Sequence, residues 1–322
     1  MKRILCSIII PFLLAAILPV EALGAESLVP VGRVIGLQLQ DESLTVAAYD
    51  DVLGSCARDA GLKIGDQLLK VNSAPVSSAQ DVKELLSRCG SQVSLTVRRS
   101  GKVSTLQLTP RQTEDGPRLG VYLRQGIAGI GTVTFYDPDT GLFGTLGHGV
   151  NDGRGSLLTM KEGTAYAASV LSVKRGKSGE PGQLKGDADI SGSIGPLLKN
   201  TPQGVFGITH TPFPGEALPV AGYESVTTGP ACIRSTVAGD RVQEYSVEIL
   251  KIYPQDRSDG RNFLLRVTDP ELLQTTGGIV QGMSGSPIVQ NGKLVGAVTH
   301  VLVNDPTRGY GIFIENMLDA AK

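Results

Sequence analysis

Short apolar runs, each closed by a turn rich in Gly, Pro, Asn or Asp, fill most of this chain beyond its first residues. Runs of that length suit strands better than helices. The 41 glycines among 322 residues fit many turns between many strands better than long helices. The length exceeds the needs of one domain and fits two. Hydrophobic residues make up 41%, enough to bury real cores. A net charge of -1, with no basic run, offers no field for nucleic acid or an anionic membrane surface.

The N-terminus reads as an export signal over residues 1–25. Lys2 and Arg3 precede an almost wholly apolar stretch from Ile4 to Val20, and Ala22-Leu23-Gly24-Ala25 supplies small residues at a cleavage spacing. The stretch is also at the lower edge of a membrane span, so a retained anchor is the alternative. The four cysteines, Cys6, Cys56, Cys89 and Cys232, match no zinc or redox spacing. Outside the cytoplasm Cys56 and Cys89 are the one pair within a domain that could join; two buried free thiols are the other reading.

Residues 28–112 form a first unit. Val34 to Gln40 alternates loosely, and Leu44 to Ala48 reads as a second strand. Ala60-Gly61-Leu62-Lys63-Ile64-Gly65-Asp66-Gln67-Leu68-Leu69-Lys70-Val71-Asn72 contains a Gly-Asp turn, a strand and an Asn-Ser turn. Ser78 and Asp81 have capping-box spacing ahead of a helix whose Val82, Leu85, Leu86 and Cys89 make one apolar stripe. A hairpin with a Ser100-Gly101 turn follows. This order resembles a PDZ domain. The resemblance implies that Gly36, Leu37, Gln38 and Leu39 hold a peptide carboxylate while the peptide adds to the sheet edge; otherwise Leu37 and Leu39 are simply core.

Residues 113–322 form a second unit of short strands. Gly131 to Tyr136 and Leu142 to His148 pair across Asp137 to Gly141. Tyr245 to Tyr253 and Phe263 to Val267 are further strands, and Asn291-Gly292 joins Ser286–Gln290 to Lys293–Val303. Only Glu315 to Lys322 look helical. The expected fold is mainly β: a PDZ-like α+β domain followed by a double β-barrel.

The chemistry centres on Gly282-Met283-Ser284-Gly285-Ser286-Pro287. A serine flanked by glycines on a tight turn is exposed, and the amides of Gly282 and Ser284 can converge as an oxyanion hole. A serine hydroxyl needs a base, and the chain has three histidines, His148, His210 and His300. His148 ends an apolar strand, where an imidazole is presented to a cleft. His210 sits in a polar turn and reads as a solvated residue. His300 is a candidate for the substrate pocket. Gly-x-Ser-Gly-x-Pro resembles the nucleophile motif of chymotrypsin-like serine peptidases, departing from the usual pattern at Met283 and Ser286. Ser286 is a rival nucleophile on paper, but the glycines and the proline align Ser284 with the attacking residue.

A closer resemblance covers nearly the whole chain. Val267-Thr268-Asp269-Pro270-Glu271-Leu272-Leu273, the run Thr276 to Pro287, and the tail Gly296 to Val301 with Asn304-Asp305-Pro306 look like the sporulation peptidases of endospore-forming bacteria, the family of stage IV sporulation protein B. So do Ala128 to Tyr136 and Leu146-Gly147-His148. The resemblance implies a catalytic His148, Asp269 and Ser284. It also implies export into the space between the forespore membranes, self-cleavage, and cutting of the regulatory subunit of an intramembrane metalloprotease complex, which releases pro-sigma-K processing. Asp269 stands only 15 positions before Ser284, nearer than the aspartate of typical chymotrypsin-like chains, and Asp187, Asp189 and Asp240 are alternatives by position. The chemistry needs neither metal nor organic cofactor. Two other readings stay open. One is a PDZ-bearing binding protein with a degenerate peptidase fold. The other is a quality-control protease of the high-temperature-requirement type, although those place the PDZ after the peptidase.

Overall fold

The computed structural model describes residues 27–322 apart from Arg154 and Ser258. The export signal falls on residues outside this range. No helix among the described residues is long and apolar enough to cross a membrane.

The turns form where backbone chemistry demands them. Asn72-Ser73, Ser100-Gly101 and Asn291-Gly292 each place two successive residues at positive φ, the conformation that matches the twist of a two-residue hairpin. Ser78 caps the helix Ala79–Ser87, with Asp81 returning the bond to the cap backbone, and Val82 and Leu86 are its buried face. Strands Gln67–Val71, Val93–Arg99 and Lys102–Leu108 pack on this helix to make the PDZ-like core, which includes Leu62, Leu68, Val71, Leu95 and Val97. Asp66 of the Gly-Asp turn is buried. Arg99 Nε and an Arg99 terminal nitrogen each donate to it at 2.6 Å, and the Lys63 amide donates at 2.8 Å. The same guanidinium donates to Gly61 O at 2.7 Å, so one arginine ties the two glycine turns of the motif together. Cys56 and Cys89 are both free, their sulfurs hydrogen-bonded to Leu53 O and Leu85 O.

Two six-stranded antiparallel barrels carry the rest. The second closes in the order Gly229–Thr236, Val242–Ile252, Phe263–Val267, Asp305–Phe313, Lys293–Leu302, Pro287–Gln290. The first runs Val121–Tyr136, Leu142–Thr145, Gly204–Ile208, Gln183–Thr201, Met160–Lys174 and Val34–Tyr49, and the pairing of Val34–Tyr49 with Val121–Tyr136 closes the ring. The terminal helix is Ile314–Ala321. Asp269 caps a further helix, Pro270–Thr276, in the unit where only Glu315 to Lys322 were expected to be helical.

The strand Val34–Tyr49 lies within the first unit expected to end at residue 112, yet it is shared between both units. Residues 35–39 of Val34–Tyr49 pair with 127–131 on one edge and with 163–167 on the other. They are a stave of the first barrel. Only the continuation, Leu44 and Thr45, pairs with Leu68 and Gln67 of the PDZ-like sheet. The PDZ-like module is therefore nested between two neighbouring strands of the first barrel. This corrects the peptide-holding role expected for Gly36, Leu37, Gln38 and Leu39. Both hydrogen-bonding edges of that segment are filled by the chain itself, so no peptide can add there as a strand. Leu37 and Leu39 are buried in the barrel core with Val133, Phe143 and Leu146. The small side of Gly36 is also occupied, since a Cβ there would lie 2.5 Å from the Ala188 methyl.

Candidate active site

The nucleophile turn is held from both barrels. From the first, the Thr132 amide donates to Ser284 O at 3.0 Å, Thr132 Oγ1 to Gly282 O at 2.8 Å, and Thr134 Oγ1 to Gly285 O at 2.7 Å. From the second, the Gly285 amide donates to Val298 O at 2.7 Å and the Val298 amide to Ser286 O at 2.9 Å. Met283 and Ser286 close the turn internally through Val280 O and Met283 O. Gly282 and Gly285 adopt φ of +99° and +97°, and a Cβ on Gly285 would stand 2.0 Å from Thr132 O. Only glycine fits there. Neither the Gly282 nor the Ser284 amide is a donor to any protein acceptor among the described residues. Two free N–H groups flanking a serine are what an oxyanion hole requires.

Ser284 is half-buried at the mouth of this turn, and its Oγ donates to Thr299 O at 2.7 Å. Ser286 is fully buried, with its Oγ on Ser235 Oγ at 3.0 Å, and so is no nucleophile.

His148 follows an unusual bend. Leu146 and Gly147 both have positive φ, 70° and 67°. For leucine that conformation is strained by about 1 kcal/mol or more, and the surrounding fold supports it: Leu146 is buried and its amide donates to Thr132 O. The bend turns the imidazole into a cleft of about 430 Å³ that Ser284, Gly282 and His300 also line. His148 Nδ1 lies 2.9 Å from Gly149 O. A carbonyl can only accept, so Nδ1 carries the proton and Nε2 keeps its lone pair. Burial lowers the pKa of His148, the hydrogen bond to Gly149 partly opposing it, which keeps the ring neutral and able to act as a base.

His300 sits beside it, with ring centroids 5.1 Å apart and planes tilted by 38°. Burial first, then the charges of His148 and Arg261, push its pKa down to about 4, against a weaker pull from Asp259. Its Nδ1 and the Thr299 hydroxyl are buried with no hydrogen-bond partner among the described residues. His210 is exposed, as its polar turn suggested.

The serine hydroxyl and His148 share the cleft but are not hydrogen-bonded; the hydroxyl is turned to the strand carrying Thr299. Asp269 does not complete a triad. Its carboxylate caps the helix Pro270–Thr276, accepting from the Leu272 amide at 2.9 Å and from the Ser246 amide at 3.3 Å. The alternatives lie elsewhere too: Asp240 faces Arg33 at 3.8 Å, Asp189 accepts from Ser191, and Asp187 is exposed on a strand. In this arrangement the acceptor on the far nitrogen of His148 is a backbone carbonyl. No catalytic motif in the sequence marks Thr132 and Thr134, whose hydroxyls hold the turn. Their alternation in Gly131-Thr132-Val133-Thr134-Phe135 puts both hydroxyls on one strand face, and that was the available signal.

Three comparisons bear on this geometry. The chain is similar over 98 residues, at 31% identity, to the "Putative zinc metalloprotease BH06270" of Bartonella henselae, covering 29% of this chain and 27% of that protein. It is 29% identical over 148 residues to the "Putative zinc metalloprotease R01501" of Rhizobium meliloti, covering 44% and 38%. It thus spans well under half the length of these curated relatives. Among solved structures, the active form of the Rv3671c protease from M. tuberculosis covers 62% of this chain and 73% of that chain at 17% identity and a TM-score of 0.33. That score carries no weight, and the barrels rest on the strand pairings above. A PDZ domain family model matches residues 33–109. The family model described as SpoIVB peptidase S55 matches residues 115–318, more than half of the chain, and this protein belongs to that family of serine peptidases.

Proposed function

We propose that this chain is an exported serine endopeptidase of sporulation signalling. It cuts itself in its N-terminal region, and it cuts an extracytoplasmic part of the regulatory subunit of an intramembrane metalloprotease complex, so that pro-sigma-K is processed. Residues 1–25 serve as its signal or anchor, and it works between the forespore membranes. Ser284 rotates away from Thr299 O, passes its proton to His148 Nε2 and attacks the scissile carbonyl. The amides of Gly282 and Ser284 receive the oxyanion, and His148 returns the proton to the leaving amine; water then repeats the sequence. The observation that carries this reading is the pair of unpartnered amides beside a serine whose cleft also holds a neutral imidazole. Sporulation and the substrate come from family membership and the whole-chain resemblance.

A second reading, a binding protein with an idle peptidase fold, draws support from the engagement of Ser284 with Thr299 O and from the backbone carbonyl, with no carboxylate among the described residues, on His148 Nδ1. A fluorophosphonate probe decides between them. The peptidase reading expects label on Ser284 and N-terminal self-trimming that Ser284→Ala abolishes. An unlabelled, folded protein, or trimming that survives Ser284→Ala, sinks it.

A further inference from the structure

The cleft at Ser284 has mainly aliphatic walls, with the uncharged Asn151 and Gln281 as the polar side chains on its lining beyond Ser284 and the two histidines. Leu37, Leu39, Ile127, Ile130, Leu146 and Val150 line it beside the catalytic groups. Among the described residues on its lining, the two histidines are the only titratable side chains, and both are held toward the neutral form. A charged side chain entering this space would lose its water and find no counter-charge. An aliphatic one would bury its surface.

Gly129 lies in the middle of this wall. It pairs with Leu37, and Ile127 pairs with Leu39, so these four positions share one face of the sheet. A Cβ placed on Gly129 meets nothing within 4 Å, and its φ lies outside the left-handed region. Neighbouring glycines differ. On Gly131 a Cβ would lie 2.2 Å from Leu146 Cδ2, and on Gly126 it would lie 1.9 Å from Leu39 O at a φ of +88°. Backbone geometry and close packing explain those two glycines but not Gly129. What a side chain at 129 would fill is open cleft.

We propose that this cleft accepts an aliphatic side chain from one of the residues flanking the scissile bond, and that Gly129 sets how large it is. The proposal rests on the peptidase reading and adds the class of substrate. Leu37 and Leu39, from the strand that leads into the PDZ-like module, are then part of substrate selection inside the catalytic barrel.

The test is digestion of a peptide library by the full chain, with cut sites read by mass spectrometry and Ser284 titrated by a fluorophosphonate. The wild type is expected to favour Leu, Ile, Val or Met at one fixed position beside the cut bond. Asp, Lys or Gly there should slow cleavage by about tenfold or more. Gly129→Ala should narrow that preference and Gly129→Leu should move it to Ala, Ser or Gly, with thermal unfolding showing both variants folded. If labelled wild type favours a charged residue, or has no preference at either flanking position, the pocket proposal is wrong and the peptidase reading stands. A folded Gly129→Leu with unchanged preference also overturns the proposal. If Ser284 takes no label and no peptide is cut, the peptidase reading falls, and this inference with it.

Discussion

Replacing Thr132 by valine removes one hydroxyl and almost no volume. Among the described residues that hydroxyl is the only side-chain group holding Gly282 O, at 2.8 Å, while the Thr132 amide holds Ser284 O at 3.0 Å and is untouched by the change. Valine keeps the β-branched shape the strand favours. The variant therefore isolates one hydrogen bond. Thr132 is fully buried but Gly282 is only partly so and lines the cleft, so the lost bond should cost about 1 kcal/mol in stability. The same loss frees the backbone at one of the two oxyanion donors. Removing such a donor outright costs about 100- to 1,000-fold in rate, so a donor that is loosened but present should cost about tenfold. Urea unfolding gives the first quantity, and the second-order rate of fluorophosphonate labelling gives the second. A variant destabilised as expected but labelled at the wild-type rate would falsify the idea that the first barrel holds the oxyanion hole in shape.

Four other outcomes follow from the same geometry. Asp269→Asn should leave stability and labelling nearly unchanged, since asparagine also caps helices, and Asp269→Ala should cost about 1 kcal/mol in unfolding; a rate loss near 10,000-fold in Asp269→Asn would instead give the carboxylate a triad role. Gly285→Ala, with its Cβ driven onto Thr132 O, should abolish labelling and lower the melting temperature; a folded, fully labelled variant would contradict the turn described here. Arg99→Ala strands the buried Asp66 carboxylate and should destabilise the PDZ-like module by about 3 kcal/mol, measured by denaturant unfolding. The fourth concerns pH. Unfolded, His300 takes a proton near pH 6.5; folded, it takes one only near pH 4. Its contribution to stability is thus complete above pH 6.5 and is lost as pH falls from 6.5 toward 4, by at most about 2 kcal/mol because the ring is partly exposed. Melting curves over that window should show the slope, and His300→Asn should flatten it.

Local chemistry was readable in the sequence and non-local pairing was not. The capping box at Ser78, the hairpins at Ser100-Gly101 and Asn291-Gly292, and the glycines around Ser284 are each decided within a few residues, and each stands as expected. The alternation through Val34 to Gln40 says that a strand is there, but not which strands lie beside it; its partners are near residues 130 and 165. Asp269 shows a different failure. Asp-Pro-Glu ahead of Leu272-Leu273 has the composition of a helix start, with the cap, then Pro at the first position. The family resemblance implies a catalytic carboxylate there, whereas the local sequence already accounts for it as a helix cap. The shift of the serine hydroxyl onto Thr299 O depends on a strand returning from the far side of the hairpin, and no local pattern announces it.

Because residues 35–39 are a stave of the catalytic barrel, erosion of the chain from its front damages the hydrolytic core before it touches the peptide-binding-type fold behind it. A trimmed form that keeps its activity must therefore retain Val34 onward. Conversely, removing the module without harming the enzyme calls for excision and a new short loop from about Asp41 to about Gln125, not a shortened N-terminus. Any pull or twist on the module would reach the cleft at Ser284 along the continuous strand Val34–Tyr49.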